Sequence, residues 1–122
     1  MEEITVEGIL EKFSKISFKE IKAKMLGTTN NKFTYLVSQE GNLNLIGLIA
    51  YFGGSFRTSY IKRIELEGNV MVINTRNSTY RFKLLEEDLV EELGQGVLFS
   101  LTSSELNFIE GEIARMALDG RE

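Results

Sequence analysis

Apolar residues near the N-terminus recur every three or four positions, the spacing that places side chains on one face of a helix. They are Val6, Ile9, Leu10, Phe13 and Ile16. Thr5 precedes them as an N-cap residue would, and a Ser-x-x-Glu sequence at 17–20 has the form of a capping box. We predict helices over 6–16 and 17–26, although the alternation after residue 16 also permits a strand.

Beyond residue 31 the apolar pattern changes to alternation, which is the period of a β-strand. Glycine, asparagine and polar pairs interrupt this pattern as turns do. The strands predicted in this way cover 32–38, 43–52, 56–66, 69–75, 79–85 and 97–101.

Two of these strands differ in how their faces are filled. In 79–85 the residues Tyr80, Phe82 and Leu84 alternate with polar ones, so we expect the rings to pack inward and Arg81 and Lys83 to face solvent. The strand 69–75 is apolar on both faces, with Val70 and Val72 on one side and Met71 and Ile73 on the other. Such a strand should be covered on both sides, by helices or by a second copy of the chain.

The C-terminal third is predicted to be mostly helical. Acidic residues open a short helix over 86–93, and Gly94 ends it. Thr102 and Glu105 form a second capping box before the stripe Leu106, Ile109, Ile113 and Met116. The fold class predicted is α+β: an antiparallel sheet of five or six strands, an N-terminal helical segment and a C-terminal helix packed on the sheet.

Length and composition limit the chemistry that the chain can support. A chain of 122 residues fits one domain, which we place at 1–122. It has no His and no Cys, which excludes thiolate catalysis, Ser-His triads and Cys/His zinc sites. We therefore predict a protein that is not an enzyme and needs no cofactor or metal. The N-terminus does not resemble a signal peptide and no apolar run could span a bilayer, so we expect a cytoplasmic protein.

The net charge of −4 is unevenly distributed. Residues 53–85 carry six Lys or Arg against two acids, whereas residues 86–122 carry two Arg against ten acids. We predict a non-enzymatic binding or regulatory module that engages a protein or a phosphate-bearing partner through the basic sheet face, and we expect it to form a homodimer. The candidate binding residues are Arg57, Thr58, Ser59, Tyr60, Arg63, Arg76, Asn77, Arg81 and Lys83.

Two alternative functions remain open. Residues 6–40 also fit a helix-turn-helix DNA-binding regulator with its recognition helix over 29–40, but the segment has almost no net charge where DNA-binding domains are usually basic. Gly53, Gly54 and the hydroxyl-rich stretch to Tyr60 have the residue types of a nucleotide-like ligand site, without the spacing of a phosphate-binding loop. The stretch 57–82 resembles hairpins of small bacterial and phage proteins, which implies no particular activity.

Overall fold

A computed structural model describes residues 3–16 and 20–119, with side chains as far as residue 115. The described chain forms three helices and eight strands, with seven of the strands in succession between the first and second helices. They are α1 (Val6–Ser14), β1 (Ile21–Asn30), β2 (Thr34–Ile46), β3 (Ile49–Phe52), β4 (Phe56–Arg57), β5 (Ile61–Glu67), β6 (Val70–Thr75), β7 (Ser78–Leu84), α2 (Glu87–Leu93), β8 (Gly96–Ser100) and α3 (Ser103–Asp119).

All eight strands form one antiparallel sheet in the order β4-β3-β2-β1-β7-β6-β5-β8. The prediction of five or six strands was wrong. The run 43–52 is a hairpin rather than one strand, because Gly47 and Leu48 turn the chain with φ values of 59° and 69°. The run 56–66 is divided between β4 and β5 at residues 58–60.

The prediction of a second helix over 17–26 was also wrong. Its capping residues 17–19 lie outside the described residues, and the chain from Ile21 onward is β1. Ile21, Ala23 and Met25 are buried there, and Lys22 between them is exposed. β1 lies between β2 and β7, so pairing on both sides outweighs local helix preference. Because residues 34–46 are also a strand, the two later helices of a helix-turn-helix are not formed.

The sheet curls into a half-barrel, as contacts between aromatic rings on distant strands show. Phe52 on β3 and Phe82 on β7 have ring centroids 5.2 Å apart, and Phe56 on β4 and Tyr80 on β7 are 5.5 Å apart. In a flat sheet with neighbouring strands about 4.8 Å apart, β3 and β7 would be separated by roughly 14 Å. The curl therefore brings both ends of the sheet to one concave inner face.

Helices α1 and α3 bury their apolar stripes in the same core as the inner face. Phe13 of α1 meets Phe99 of β8 edge to face at 5.4 Å, and Leu106 and Ile109 of α3 are almost fully buried. The predicted helix 6–16 is thus confirmed over Val6–Ser14.

The capping box before α3 is formed as predicted. The Glu105 backbone N–H donates to Thr102 Oγ1 at 3.1 Å, and the Thr102 N–H donates to Glu105 Oε1 at 3.0 Å. The hydrogen bond from the Thr102 backbone N–H lowers the pKa of Glu105 below its ordinary value of 4.5. Lys12, at 3.1 Å, lowers it further, while desolvation by burial opposes the change.

The predicted faces of residues 79–85 are confirmed on β7. Phe82 and Leu84 are buried on the inner face, and Arg81 and Lys83 are exposed on the convex outer face. On β6, Met71 and Ile73 are fully buried, and Val72 on the outer face is 8% exposed. Val72 lies between Glu65 and Arg81 in the sheet, whose aliphatic stems are suited to cover it.

Candidate binding sites

Four cations lie together on the outer face of the two central strands. Lys22 and Lys24 come from β1, and Arg81 and Lys83 come from β7; we call these four residues the cationic face. Lys24 is directly opposite Lys83 in the antiparallel ladder. They share a face because β-strand side chains alternate, and the residues between them, such as Ala23 and Phe82, fill the core.

Lys22 and Lys24 were missed as site residues by sequence reasoning. The segment was assigned to a helix, in which they would have had no relation to the strand 79–85. The signal that identifies them is the alternation of Lys with Ile21, Ala23 and Met25, which is typical of a half-buried strand.

Two other predicted cations are already engaged by acidic residues. Arg63 Nη2 lies 3.2 Å from Glu65 on the same strand. Arg76, in the turn between β6 and β7, donates from Nη2 to Glu110 and to Asn107 of α3, both at 2.8 Å. Arg76 therefore ties the helix to the sheet, and a binding role for it would have to compete with these contacts. Asn77 beside it is exposed.

Thr58 has a structural role. It is 4% exposed, its Oγ1 accepts a hydrogen bond from the Ala50 N–H at 3.1 Å, and the same hydroxyl donates to the Ser59 carbonyl at 2.8 Å. Tyr60 is half-buried against the core, whereas Arg57 and Ser59 are exposed. Arg57 lies on β4 at one end of the sheet, four strands from β7, so this segment does not join the cationic face.

A second candidate site is a cavity of about 470 Å³ on the inner face; we call it the inner cavity. Its walls come from β1, β2, β7 and the β3–β4 turn. The lining residues are Met25, Thr28, Asn30, Tyr35, Val37, Gln39, Phe52, Ser55, Phe56, Ser78 and Tyr80. None of them is charged. Aromatic and aliphatic walls with a few hydroxyls and amides are typical of sites for small, largely apolar ligands.

Acidic side chains surround a third concavity, of about 650 Å³, between residue 20 and α2. Glu20, Glu86, Glu87, Asp88 and Glu92 line it, and all five are exposed. Within the described residues no three acidic side chains are close enough together to hold a metal ion. This agrees with the usual behaviour of charge runs as solvated helix surface.

Comparison of the chain with protein-family models, curated proteins and solved structures found no match. In the part of the chain that the structure describes, no helix has the length and apolarity needed to cross a membrane. A function is therefore inferred from the geometry of the cationic face and the inner cavity.

Proposed function

We propose that this protein is a non-catalytic binding module whose cationic face docks an acidic segment of a partner protein. The observation that supports this proposal is the direct pairing of Lys24 with Lys83. Like charges directly opposite each other in a sheet oppose folding slightly. Among the described residues, no carboxylate oxygen lies within 4.0 Å of the four cations. An anionic partner would relieve this repulsion and gain four donors at once.

The surroundings of the cationic face favour a protein over a nucleic acid. A sheet that binds bases presents aromatic rings beside its cations, but Tyr80 and Phe82 point to the inner face. The outer face also carries Glu65 and Glu67 on β5, and Glu40 stands opposite Lys24 on β2. These carboxylates and the net charge of −4 would repel a phosphate backbone while leaving room for local pairing with single acidic side chains.

The proposal is tested by fluorescence anisotropy with a labelled polyglutamate peptide. The double variant Lys24→Gln/Lys83→Gln should bind about five- to tenfold more weakly, since two exposed ion pairs are lost. The control Lys15→Gln/Arg115→Gln removes the same charge from exposed positions elsewhere and should bind as the wild type does. Equal losses in both variants, or tighter binding to duplex DNA than to the peptide, would contradict the proposal.

The inner cavity supports a second candidate function, the binding of a small neutral aromatic molecule. Ser55 and Phe56 lie in the segment where the sequence suggests a nucleotide-like ligand, but the uncharged lining offers no cation to a phosphate. 2-Naphthol should raise the melting temperature, and adenosine monophosphate should not. Ser55→Trp, which fills the cavity, should abolish the shift, while Ser59→Trp, at an exposed position outside it, should not. A shift that survives Ser55→Trp would refute this site.

A further inference from the structure

The strand β2 is paired along only part of its outer edge. One edge pairs with β1 from Thr34 to Leu43, whereas β3 covers the other edge only from Leu43 to Ile46. The hydrogen bond from Gly53 N–H to Asn42 O is the last contact before β3 turns away. Among the described residues, no backbone hydrogen bond joins residues 34–41 to any element except β1. We call residues 34–41 the free edge of β2.

Apart from a register shift in its ladder with β1 between Leu36 and Gln39, the free edge has little of the usual protection against pairing with another chain. Natural edge strands are kept short, or carry proline, a bulge or inward-pointing charges. Here the edge is eight residues long and without proline, and it carries exposed apolar side chains. Leu36 is 88% exposed and Tyr35 is 52% exposed. A strand added here would continue the sheet in the position that β3 leaves empty.

We infer that the free edge of β2 pairs antiparallel with the same edge of a second copy of this chain, with Leu36 on the two-fold axis. The sequence is self-complementary in this register. Leu36 meets Leu36 on the outer face, and Tyr35 meets Val37 on the inner face. In this register the paired backbone runs from Thr34 to Ser38 of each copy, because Lys32 lies in the turn before β2.

Other registers lose these pairings. A shift by one residue in the pairing would place inner-face side chains opposite outer-face ones, which a continuous sheet does not allow. Centring the axis on Val37 keeps the faces but sets Leu36 against Ser38. Centring it on Tyr35 sets Leu36 against Thr34. Only the axis at Leu36 buries its side chain against an apolar partner.

Sedimentation velocity of the full chain over a wide concentration range tests the inference. The wild type should pass from the monomer of 13.8 kDa to a dimer as concentration rises. Leu36→Lys places two like charges on the axis and should abolish the dimer. Since Leu36 is 88% exposed, the variant should keep the wild-type circular dichroism. Val97→Lys is the matched control on the opposite edge strand, β8, where Val97 is 51% exposed, and it should leave the dimer unchanged.

A wild type that stays monomeric throughout, a dimer that survives Leu36→Lys, or one that is lost in Val97→Lys would each overturn the inference. Polyglutamate binding by a monomeric wild type would leave the proposed function standing and remove this inference alone.

Discussion

Energetic coupling between Phe52 and Phe82 is the most direct test of the curled sheet. The two rings lie on strands β3 and β7, yet their centroids are 5.2 Å apart. A ring pair at this distance contributes about 0.5–1.5 kcal/mol beyond its buried area. In a flat sheet the same rings would be roughly 14 Å apart and would not interact. Their coupling energy therefore measures the curl itself.

The experiment is a double-mutant cycle with Phe52→Leu and Phe82→Leu, followed by urea unfolding. Each single change should lower the free energy of unfolding by about 1–2 kcal/mol, because both side chains are buried and leucine fills much of the space. The double variant should lose less than the sum, by about 0.5–1.5 kcal/mol. As a control, Phe33→Leu with Phe82→Leu should be additive, since Phe33 is exposed at the β1–β2 turn. A Phe52–Phe82 coupling below about 0.3 kcal/mol would refute the half-barrel.

Four further predictions concern the free energy of unfolding. Gly27→Ala should cost about 1–3 kcal/mol, because the new Cβ would lie 2.7 Å from the Tyr35 carbonyl oxygen. Gly111→Ala in α3, where a Cβ meets open space, should stabilise the fold by about 0.5–1 kcal/mol. A stabilising Gly27→Ala or a destabilising Gly111→Ala would contradict the surroundings described for that glycine. Thr58→Val should cost about 1–3 kcal/mol by leaving a buried N–H unpaired, and Thr58→Ser should cost less; equal costs would contradict the hydrogen bond. Because folding lowers the pKa of Glu105, its charge stabilises the fold above pH 4.5 and this contribution disappears as the pH falls through the lowered value. The difference in the free energy of unfolding between wild type and Glu105→Gln should therefore be smaller at pH 3 than at pH 7. An equal difference at both pH values would contradict a stabilising role for the Glu105 charge.

Elements whose signals are local could be predicted from the sequence. The capping box at Thr102 and Glu105 gave the start of α3, because both of its hydrogen bonds are made within four residues. The alternation in residues 79–85 gave the correct faces of β7 because one face packs in the core and the other meets solvent. In each case the pattern that predicts the structure is contained within a few consecutive residues.

Features that depend on distant partners could not be predicted. The segment 17–26 fits either period, and its pairing with β7 decides for a strand. For the same reason Lys24 could not be placed beside Lys83 before the strand order was known. Thr58 was predicted to be a binding residue in the strand 56–66, and only the position of Ala50 eight residues earlier explains its burial. The run 43–52 looked continuous because Leu48, which has a positive φ, is apolar and almost fully buried.

The sheet consists of two meanders, β1 to β4 and β5 to β7, with β8 added to the second. The pairing of β1 with β7 joins the two meanders. Within each meander, neighbouring strands are joined by short turns. The ladder between β1 and β7 instead starts from the pair Asn30 and Ser78 and closes a loop of roughly 50 residues, at an entropic cost about 2 kcal/mol above that of a four-residue hairpin loop. Met25 and Phe82, buried opposite each other in that ladder, are among the contacts that offset this cost. The two strands that join the meanders therefore carry buried contacts on their inner face and the cationic face on their outer face.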